Sequence, residues 1–317
     1  MSKLSIVGFT NLGYRAHAKS FAPLDSDMQG KTVVVTGATG GLGLATARRL
    51  AGLGARVAIV GRSDRKLDEA LHAIGGDAVP YRADLSLMAE IRVLVESIRS
   101  NEDRIDVLIN NVGVLYPERT ITDEGLEASF ATNLAGHFLL TNLLAPQLIE
   151  SAPARIINVT SGGMYSARIT PDDLQTESKE YAGAAVYART KRGQVILTEQ
   201  WAERLGATGV VVHSTHPGWA KTAGVATSLP TFNKLMKPFL RTPDQGADTI
   251  VWLASAEEPS RSTGCLWFDR REVPTHLMDS TKETEEERRA LWDNLVETTH
   301  SDLLSLDVQE PPSPKQN

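Results

Sequence analysis

Short apolar runs and longer amphipathic stretches alternate over most of the chain. Runs rich in β-branched residues predict strands at residues 31–36, 55–60, 78–82, 107–110, 155–160 and 210–214. Between them, apolar positions spaced three and four apart predict helices at residues 43–53, 64–74, 91–99, 125–148 and 184–205, the fourth stopping near Pro146. This alternation is typical of an α/β fold, in which a doubly wound parallel sheet lies between two layers of helices.

The alternation also sets the expected domain boundaries. No linker divides residues 28–280, which we expect to form one domain after an N-terminal extension over residues 1–27. A capping box at Thr284 and the apolar stripe that follows it predict a C-terminal helix within residues 281–306. Residues 307–317 are rich in proline and polar residues, a composition typical of disorder.

Composition narrows the classes of partner. The 317 residues carry a net charge of −6 without a long basic run, so nucleic acid is not an expected partner. A single cysteine, Cys265, excludes an intramolecular disulfide and fits a reducing, cytoplasmic compartment. His213 and His216 do not have the spacing of a metal pair on a strand, and no metal site is expected.

The N-terminal segment leaves two interpretations open. No apolar run reaches the roughly 18 residues that span a membrane, so no transmembrane segment is expected. Residues 1–21 can instead form a short amphipathic helix. We favour its docking on the domain, and weak peripheral membrane association is the alternative.

A glycine-rich turn joins the first predicted strand to the first predicted helix. Glycine lets the main chain approach a ligand closely, and the unpaired N–H groups of a helix start attract anions. The turn therefore predicts a phosphate cradle, with contacts from Gly37, Thr39, Gly40, Gly41, Leu42 and Gly43.

The residues after the second strand indicate which nucleotide the cradle holds. A carboxylate at this point would accept the ribose hydroxyls of NAD, but the chain has Arg62 and Ser63. A guanidinium can clamp a 2′-phosphate through two N–H groups, so we predict NADP(H); a solvated surface arginine is the alternative. Further cofactor contacts are expected at Asp84 and Leu85 by the adenine, and at Asn110, Asn111, Val112 and Gly113 by the ribose and nicotinamide.

Three residues carry the expected chemistry. Tyr187 and Lys191 lie four apart on a predicted helix and therefore share a face. A nearby ammonium favours the phenolate, so we expect Lys191 to lower the pKa of Tyr187 toward neutrality. Ser161 follows the fifth strand, at the carboxyl edge where ligands bind in such sheets, and its hydroxyl can hold a substrate carbonyl.

Over about residues 29–269 the chain resembles the short-chain dehydrogenase/reductases, in their retinol-dehydrogenase-like branch. The resemblance rests on seven motifs in order: the cradle at Gly37, Gly41 and Gly43; Asp84-Leu85; Asn110-Asn111-Val112-Gly113; Asn133; Ser161; Tyr187 with Lys191; and Pro217-Gly218. It implies a Rossmann-type sheet of about seven strands and a catalytic tetrad.

The resemblance also implies a role for each tetrad residue. Tyr187 is the general acid/base, and Ser161 holds the carbonyl oxygen. Lys191 binds the nicotinamide ribose and tunes Tyr187, while Asn133 orders a water that links Lys191 to solvent. Further cofactor contacts are implied at Pro217, Gly218 and Thr222.

The expected function is that of an NADP(H)-dependent oxidoreductase acting on a small carbonyl or alcohol. The resemblance implies that the residues between Gly218 and Pro243 form a flap over the substrate. The apolar residues in this segment suggest an apolar substrate, although ordinary helix packing explains them equally well. A non-catalytic NADP(H)-binding sensor or scaffold is one alternative, and a peripheral membrane lipid or retinoid reductase is another. The sequence is compatible with a homodimer.

Overall fold

A computed structural model of the chain describes residues 6–178, 180–221, 234 and 236–303. Within these residues eight strands form one sheet. The strands are β1 (Thr32–Thr36), β2 (Arg56–Gly61), β3 (Ala78–Arg82), β4 (Val107–Asn110), β5 (Ala154–Val159), β6 (Val210–Thr215), β7 (Leu266–Phe268) and β8 (Arg271–Val273).

Helices connect the strands and cover both faces of the sheet. They are α1 (Asn11–Ala18), α2 (Gly41–Gly52), α3 (Asp64–Ile74), α4 (Met88–Asn101), α5 (Ala128–Phe130), α6 (Gly136–Glu150), α7 (Gly183–Leu205), α8 (Pro243–Ser255) and α9 (Glu285–Thr299). A π-helical turn, Ala131–Ala135, joins α5 to α6.

The order of the strands confirms the predicted doubly wound sheet. It runs β3-β2-β1-β4-β5-β6-β7-β8, with every neighbouring pair parallel except β7 and β8. The chain order reverses between β1 and β4, where Val34 pairs with Leu108, and ligands bind at such a reversal. The eighth strand exceeds the expected count because Asp269 and Arg270, with φ of 50° and 56°, turn the chain back into a short hairpin.

Each face of the sheet packs against its own apolar cluster. Leu108, Phe138 and Trp201 belong to the cluster under α4, α6 and α7, which also takes in Trp292 of the C-terminal helix. Leu50 and Trp252 belong to the cluster on the opposite face, under α2, α3 and α8. Burial on both faces explains why the strands read as continuous apolar runs.

The fourth predicted helix departs from the expectation at Pro146. The helix does not stop there but continues to Glu150 with Pro146 inside it. The segment is buried on nearly every side, so packing outweighs the lost N–H and the local clash. Several other helix ends differ by a few residues, as α4 starts at Met88 rather than at residue 91.

The two ends of the described chain pack on the domain. The capping box of Thr284 and Glu287 starts α9 as predicted. At the other end, Asn11 of α1 donates to the Pro238 carbonyl, and Phe9 stacks on Trp219, so the extension docks on the domain. No helix among the described residues is both long and apolar enough to cross a bilayer.

Candidate active site

The glycine turn has the geometry of an anion cradle. Gly37 and Gly41 have φ of 66° and 54°, in the left-handed region that favours glycine. A Cβ on Gly43 would lie 2.3 Å from the Gly37 carbonyl, so a side chain there would prevent the turn from closing. Gly40 caps α2 without a side-chain hydrogen bond, which leaves the helix start available to an anion.

Other predicted cofactor residues surround this cradle. Thr39 packs against Gly61 at the end of β2, and Leu42 packs against Gly246 of α8. Leu85 is buried, and its carbonyl lies where a Cβ on Gly136 would clash. These residues shape the walls of the cradle through packing.

Arg62 and Ser63 lie at the exposed end of β2, before the start of α3. The Arg62 side chain is 68% exposed, and its Nη1 lies 3.6 Å from an oxygen of Asp84. Ser63 caps α3 without a hydrogen bond from its hydroxyl. Both side chains can therefore reach a ligand on this edge without breaking a strong internal contact.

Two consecutive asparagines at the end of β4, Asn110 and Asn111, make different contacts. Asn110 is fully buried and donates to Thr141 Oγ1 and Asn158 Oδ1, both at 2.9 Å, so its side chain holds helix and sheet together. Asn111 donates instead to the Thr36 carbonyl at 2.7 Å, which ties the loop after β4 to the end of β1. The contact of Asn110 with the cofactor stays a prediction from the sequence, and both hydrogens of its side-chain amide are already engaged in the core.

Gly113 ends this loop directly under the lysine amine. A Cβ on Gly113 would lie 2.9 Å from Lys191 Nζ, so only glycine leaves the amine its place. The Thr36 hydroxyl accepts from the N–H groups of Asn111 and Val112 at 2.8 and 3.1 Å, and thereby fixes the loop. Sequence reasoning missed the role of Thr36, whose signal was its place one residue before Gly37.

Tyr187, Ser161 and Lys191 come together at the carboxyl edge of the sheet. The Ser161 hydroxyl lies close enough to the Tyr187 phenol to favour its ionised form. Lys191 is 2% exposed; its Nζ lies 5.6 Å from the centre of the Tyr187 ring and donates to the Val159 carbonyl at 3.0 Å. The helix spacing thus places both residues of α7 beside the end of β5, as the sequence indicated.

Burial controls the titration of this pair. It raises the pKa of the Tyr187 phenol above its usual value of 10, while the Ser161 hydroxyl opposes the rise. Burial also lowers the pKa of Lys191 from 10.5 to about 7. The expected lowering of the Tyr187 pKa is therefore wrong for the chain by itself, because desolvation outweighs the opposing contribution, which comes from Ser161.

Asn133 lies in the π-helical turn and is fixed by its side chain. Its Oδ1 accepts from the Val114 N–H at 2.9 Å, and its Nδ2 donates to the Val114 carbonyl and to Thr190 Oγ1. Its main-chain carbonyl accepts from Gln194 Nε2 at 2.8 Å, and Gln194 Oε1 in turn accepts from Lys191 Nζ at 3.1 Å. A protein side chain, that of Gln194, therefore bridges Asn133 and Lys191, and the water that the resemblance implies at Asn133 stays a prediction.

A buried ion pair supports the loop after β6. Arg241 is 1% exposed and forms two hydrogen bonds with Asp269, at 2.6 and 2.9 Å. It also donates to the carbonyls of Gly8 and Pro217. Gly218 has a φ of 72°, and a Cβ there would lie 2.5 Å from Arg241 Nε, so this turn requires glycine.

His216 belongs to an aromatic cluster beside this pair. Its ring stacks on Phe268 at 4.1 Å and lies 5.2 Å from Phe9. Burial and the Arg241 charge lower its pKa to about 3, so the ring is neutral and packs as an aromatic group. His216 therefore contributes to aromatic packing beside the site.

Sequence reasoning missed Phe9 as a residue of the site. A Cβ on Gly162, which follows Ser161, would lie 3.2 Å from Phe9 Cε1. The extension thus brings an aromatic ring next to the presumptive carbonyl site, and no local signal distinguished Phe9 from other apolar residues. Thr222 and the central part of the predicted flap, including Leu229 and Phe232, lie outside the described residues.

A family profile described as short chain dehydrogenase matches residues 31–231. Bovine (Bos taurus) "Dehydrogenase/reductase SDR family member 12" is 38% identical over 291 residues, which cover 88% of this chain and 91% of the relative. Human (Homo sapiens) "Retinol dehydrogenase 13" is 33% identical over 306 residues, covering 92% and 91%. The chain belongs to the short-chain dehydrogenase/reductase family, in a branch close to these relatives.

Solved structures agree with this assignment. A Mycobacterium paratuberculosis protein has a TM-score of 0.73 at 28% identity, covering 88% of this chain and 97% of the other. A Brucella melitensis 3-ketoacyl-(acyl-carrier-protein) reductase in complex with NADH has a TM-score of 0.62 at 27% identity, covering 75% and 96%. A gluconate 5-dehydrogenase from Beutenbergia cavernae with bound NADP has a TM-score of 0.61 at 26% identity, covering 76% and 95%. The family is one of oxidoreductases with a nicotinamide cofactor, and its members use either form.

Proposed function

We propose that this protein is an NADP(H)-dependent oxidoreductase that interconverts an apolar carbonyl compound and its alcohol, with Tyr187 as the general acid/base. The observation that carries the proposal is the grouping of the Tyr187 phenol with the Ser161 hydroxyl and the buried Lys191 amine. These side chains lie at the end of β5, on the same carboxyl edge of the sheet as the glycine cradle that follows β1. A site that only bound a phosphate would not require a buried phenol and a buried amine beside it.

The cradle fits a dinucleotide by its own geometry. The uncapped start of α2 and the close approach at Gly43 leave room for a diphosphate against main-chain N–H groups. Arg62 and Ser63 would hold the 2′-phosphate, and the loop ending in Gly113 would border the nicotinamide ribose. When bound, the nicotinamide supplies or accepts the hydride at the substrate carbon.

The residues of the chain handle the oxygen of the substrate. Ser161 Oγ and Tyr187 Oη would both donate hydrogen bonds to a carbonyl oxygen, which orients it and stabilises its growing negative charge. In the reductive direction Tyr187 gives its proton to that oxygen, so the product is the neutral alcohol and the phenolate remains. A raised pKa keeps the phenol protonated at neutral pH, which suits it to donate.

Aromatic residues support an apolar substrate. Phe9 lies beside Gly162 and stacks on Trp219, with ring centres 5.7 Å apart. One relative is named for retinol, an apolar alcohol. The cytoplasmic location, the weak peripheral membrane association and the homodimer remain predictions from the sequence.

Substitution of the phenol tests this function. We expect Tyr187→Phe to lower kcat by at least about 10²-fold, since a general acid contributes about that much, while the affinity for NADPH stays near that of the wild type. NADPH oxidation is followed with a panel of apolar aldehydes and ketones, and binding by nucleotide fluorescence.

The matched control is Tyr181→Phe, which removes a phenol hydroxyl bonded to Glu127 instead of Ser161. We expect this variant to keep its turnover. Turnover retained by Tyr187→Phe would reject the assigned role. Binding of NADPH without oxidation by any member of the panel would favour a non-catalytic sensor.

A further inference from the structure

A buried hydrogen-bonded network extends from the tetrad into the core. Lys191 Nζ donates to Gln194 Oε1 at 3.1 Å. The Nε2 of Gln194 lies 2.8 Å from the Asn133 carbonyl and 2.7 Å from His137 Nδ1. Gln194 and His137 are both almost fully buried, so these contacts are shielded from water.

The contacts determine the orientation of each polar group. An amide nitrogen has two hydrogens, and here it faces two acceptors, the Asn133 carbonyl and His137 Nδ1. Rotating the carboxamide by 180° would set its oxygen against the Asn133 oxygen and its nitrogen against the ammonium. His137 therefore accepts at Nδ1 and carries its proton on Nε2.

We propose that Gln194 is the positioning residue of the Lys191 amine, and that His137 fixes the carboxamide that aims at it. The carboxamide bridges the Lys191 amine and the Asn133 carbonyl directly. The catalytic meaning of this inference rests on the proposed function, because it concerns the amine that tunes Tyr187.

This arrangement changes what the amine can do. A carboxamide neither gains nor loses a proton near neutral pH, so Gln194 holds Lys191 without passing its proton on. The carboxamide thus fixes where the amine lies beside the Tyr187 ring. The π-helical turn Ala131–Ala135 supports this arrangement, because it carries Asn133 at its centre, and such turns often occur at functional sites.

Few charged groups face the amine apart from this network. Tyr187 on its own helix and His137 on α6 are the titratable neighbours, and β5 and the β4 loop offer the Val159 carbonyl and Gly113. Burial is the cause of the lowered Lys191 pKa, and no carboxylate of the described residues contributes. The Gln194 oxygen is thus one of two hydrogen-bond acceptors that favour the charged amine.

Titration of Lys191 in the protein without nucleotide tests the inference. Lysine side chains labelled with ¹³C at Cε are followed by NMR against pH, and the Lys191→Met variant identifies the resonance. We expect Gln194→Met to lower the midpoint of the wild type, about 7, by about one pH unit, since a hydrogen bond to a charged group is worth about that much. Gln194→Glu should raise the midpoint.

The matched control is Gln200→Met, two turns further along the same helix. Gln200 is also buried and donates to the Arg288 carbonyl, far from the amine. We expect this variant to lose stability and to leave the Lys191 midpoint in place. If Gln194 had only a structural role, Gln194→Met would likewise lose stability and leave the Lys191 midpoint in place.

An unchanged midpoint in Gln194→Glu, whether or not Gln194→Met folds, would overturn the inference. The titration requires no turnover, so its result is independent of the proposed function. If Tyr187 proves not to be the general acid/base, a shift of the Lys191 midpoint would still support the role of Gln194. If the midpoint does not shift, the role proposed for Tyr187 is unaffected.

Discussion

Among the buried cations of the described residues, Arg241 and Lys191 both lie at the carboxyl edge of the sheet, and their surroundings differ in kind. Arg241, under the loop after β6, forms two hydrogen bonds with Asp269 and donates to main-chain carbonyls of the extension. Lys191, beside the end of β5, is equally buried but has only a carbonyl and a carboxamide oxygen as acceptors. Arg241 therefore has a carboxylate as its counter-charge, whereas Lys191 has none among the described residues.

The difference separates a structural cation from a functional one. A buried charge with a carboxylate keeps its proton and holds its surroundings in one arrangement. A buried charge without one has a perturbed pKa, which falls for Lys191 to about 7. Perturbed values of this kind concentrate at sites of chemistry, and here the perturbed amine lies beside the presumptive proton donor.

Removal of the paired cation should have the largest effect. Arg241→Met leaves Asp269 buried without its guanidinium and removes a donor to the carbonyls of Gly8 and Pro217. We expect the free energy of unfolding to fall by about 3–5 kcal/mol, measured by urea denaturation followed by circular dichroism. Arg261→Met, which breaks an exposed pair with Glu257, should leave it nearly unchanged. Equal losses would show that the buried pair is not distinctive.

Removal of the unpaired cation, Lys191, should change how the free energy of unfolding depends on pH. The unfolded chain keeps the Lys191 proton up to about pH 10.5, whereas the folded chain releases it near 7. Between these pH values the unfolded state binds more protons than the folded state, so the free energy of unfolding rises with pH. Below about pH 7 the folded protein bears the full cost of burying the charged Lys191 amine. Lys191→Met should therefore be more stable than the wild type at pH 6, with an advantage that shrinks toward pH 10.

Urea denaturation at several pH values measures this effect. The control is Lys66→Met, which replaces an exposed lysine of α3 and should leave stability nearly unchanged at each pH. A constant difference between Lys191→Met and the wild type across the range would contradict the lowered pKa.

A third cation, exposed and weakly paired, should affect stability least. Arg62→Ala should change the free energy of unfolding by less than about 0.5 kcal/mol, because the side chain lies in solvent. It should raise the Kd of NADPH about tenfold or more and leave that of NADH nearly unchanged, since only NADPH carries the 2′-phosphate. Calorimetric titration measures both values. Arg65→Ala removes an exposed arginine one turn away and serves as the control, and equal losses for both nucleotides would reject the role of Arg62.

Much of the fold followed from local pattern. Apolar runs marked the six strands from β1 to β6 within a residue or two, and α3 ends at Ile74 as predicted, directly before Gly75, whose φ is 68°. Pro146 shows the limit of such reasoning, because the helix continues through it. Local propensity predicted a stop, and the packing around the helix overrode it.

The candidate site likewise combines features that local sequence pattern predicted with one that depends on distant contacts. Helical spacing placed Tyr187 and Lys191 on one face, and strand ends placed Ser161 near them. Nothing in the spacing indicated that Gln194 would lie between Lys191 and Asn133, because that contact joins residues 61 apart in the sequence.

The sequence by itself determined the order of strands and helices, the cradle, and which side chains stand at the carboxyl edge, because these depend on periodicity and on the conformations of a few glycines. The tertiary structure decided which charges are paired and which are not. That outcome depends on contacts between distant segments, such as the extension with Arg241 and α7 with the π-helical turn, and on the water those contacts exclude. The raised pKa of Tyr187 and the lowered pKa of Lys191 have that origin, since desolvation is a property of the packed molecule and not of any short stretch of chain.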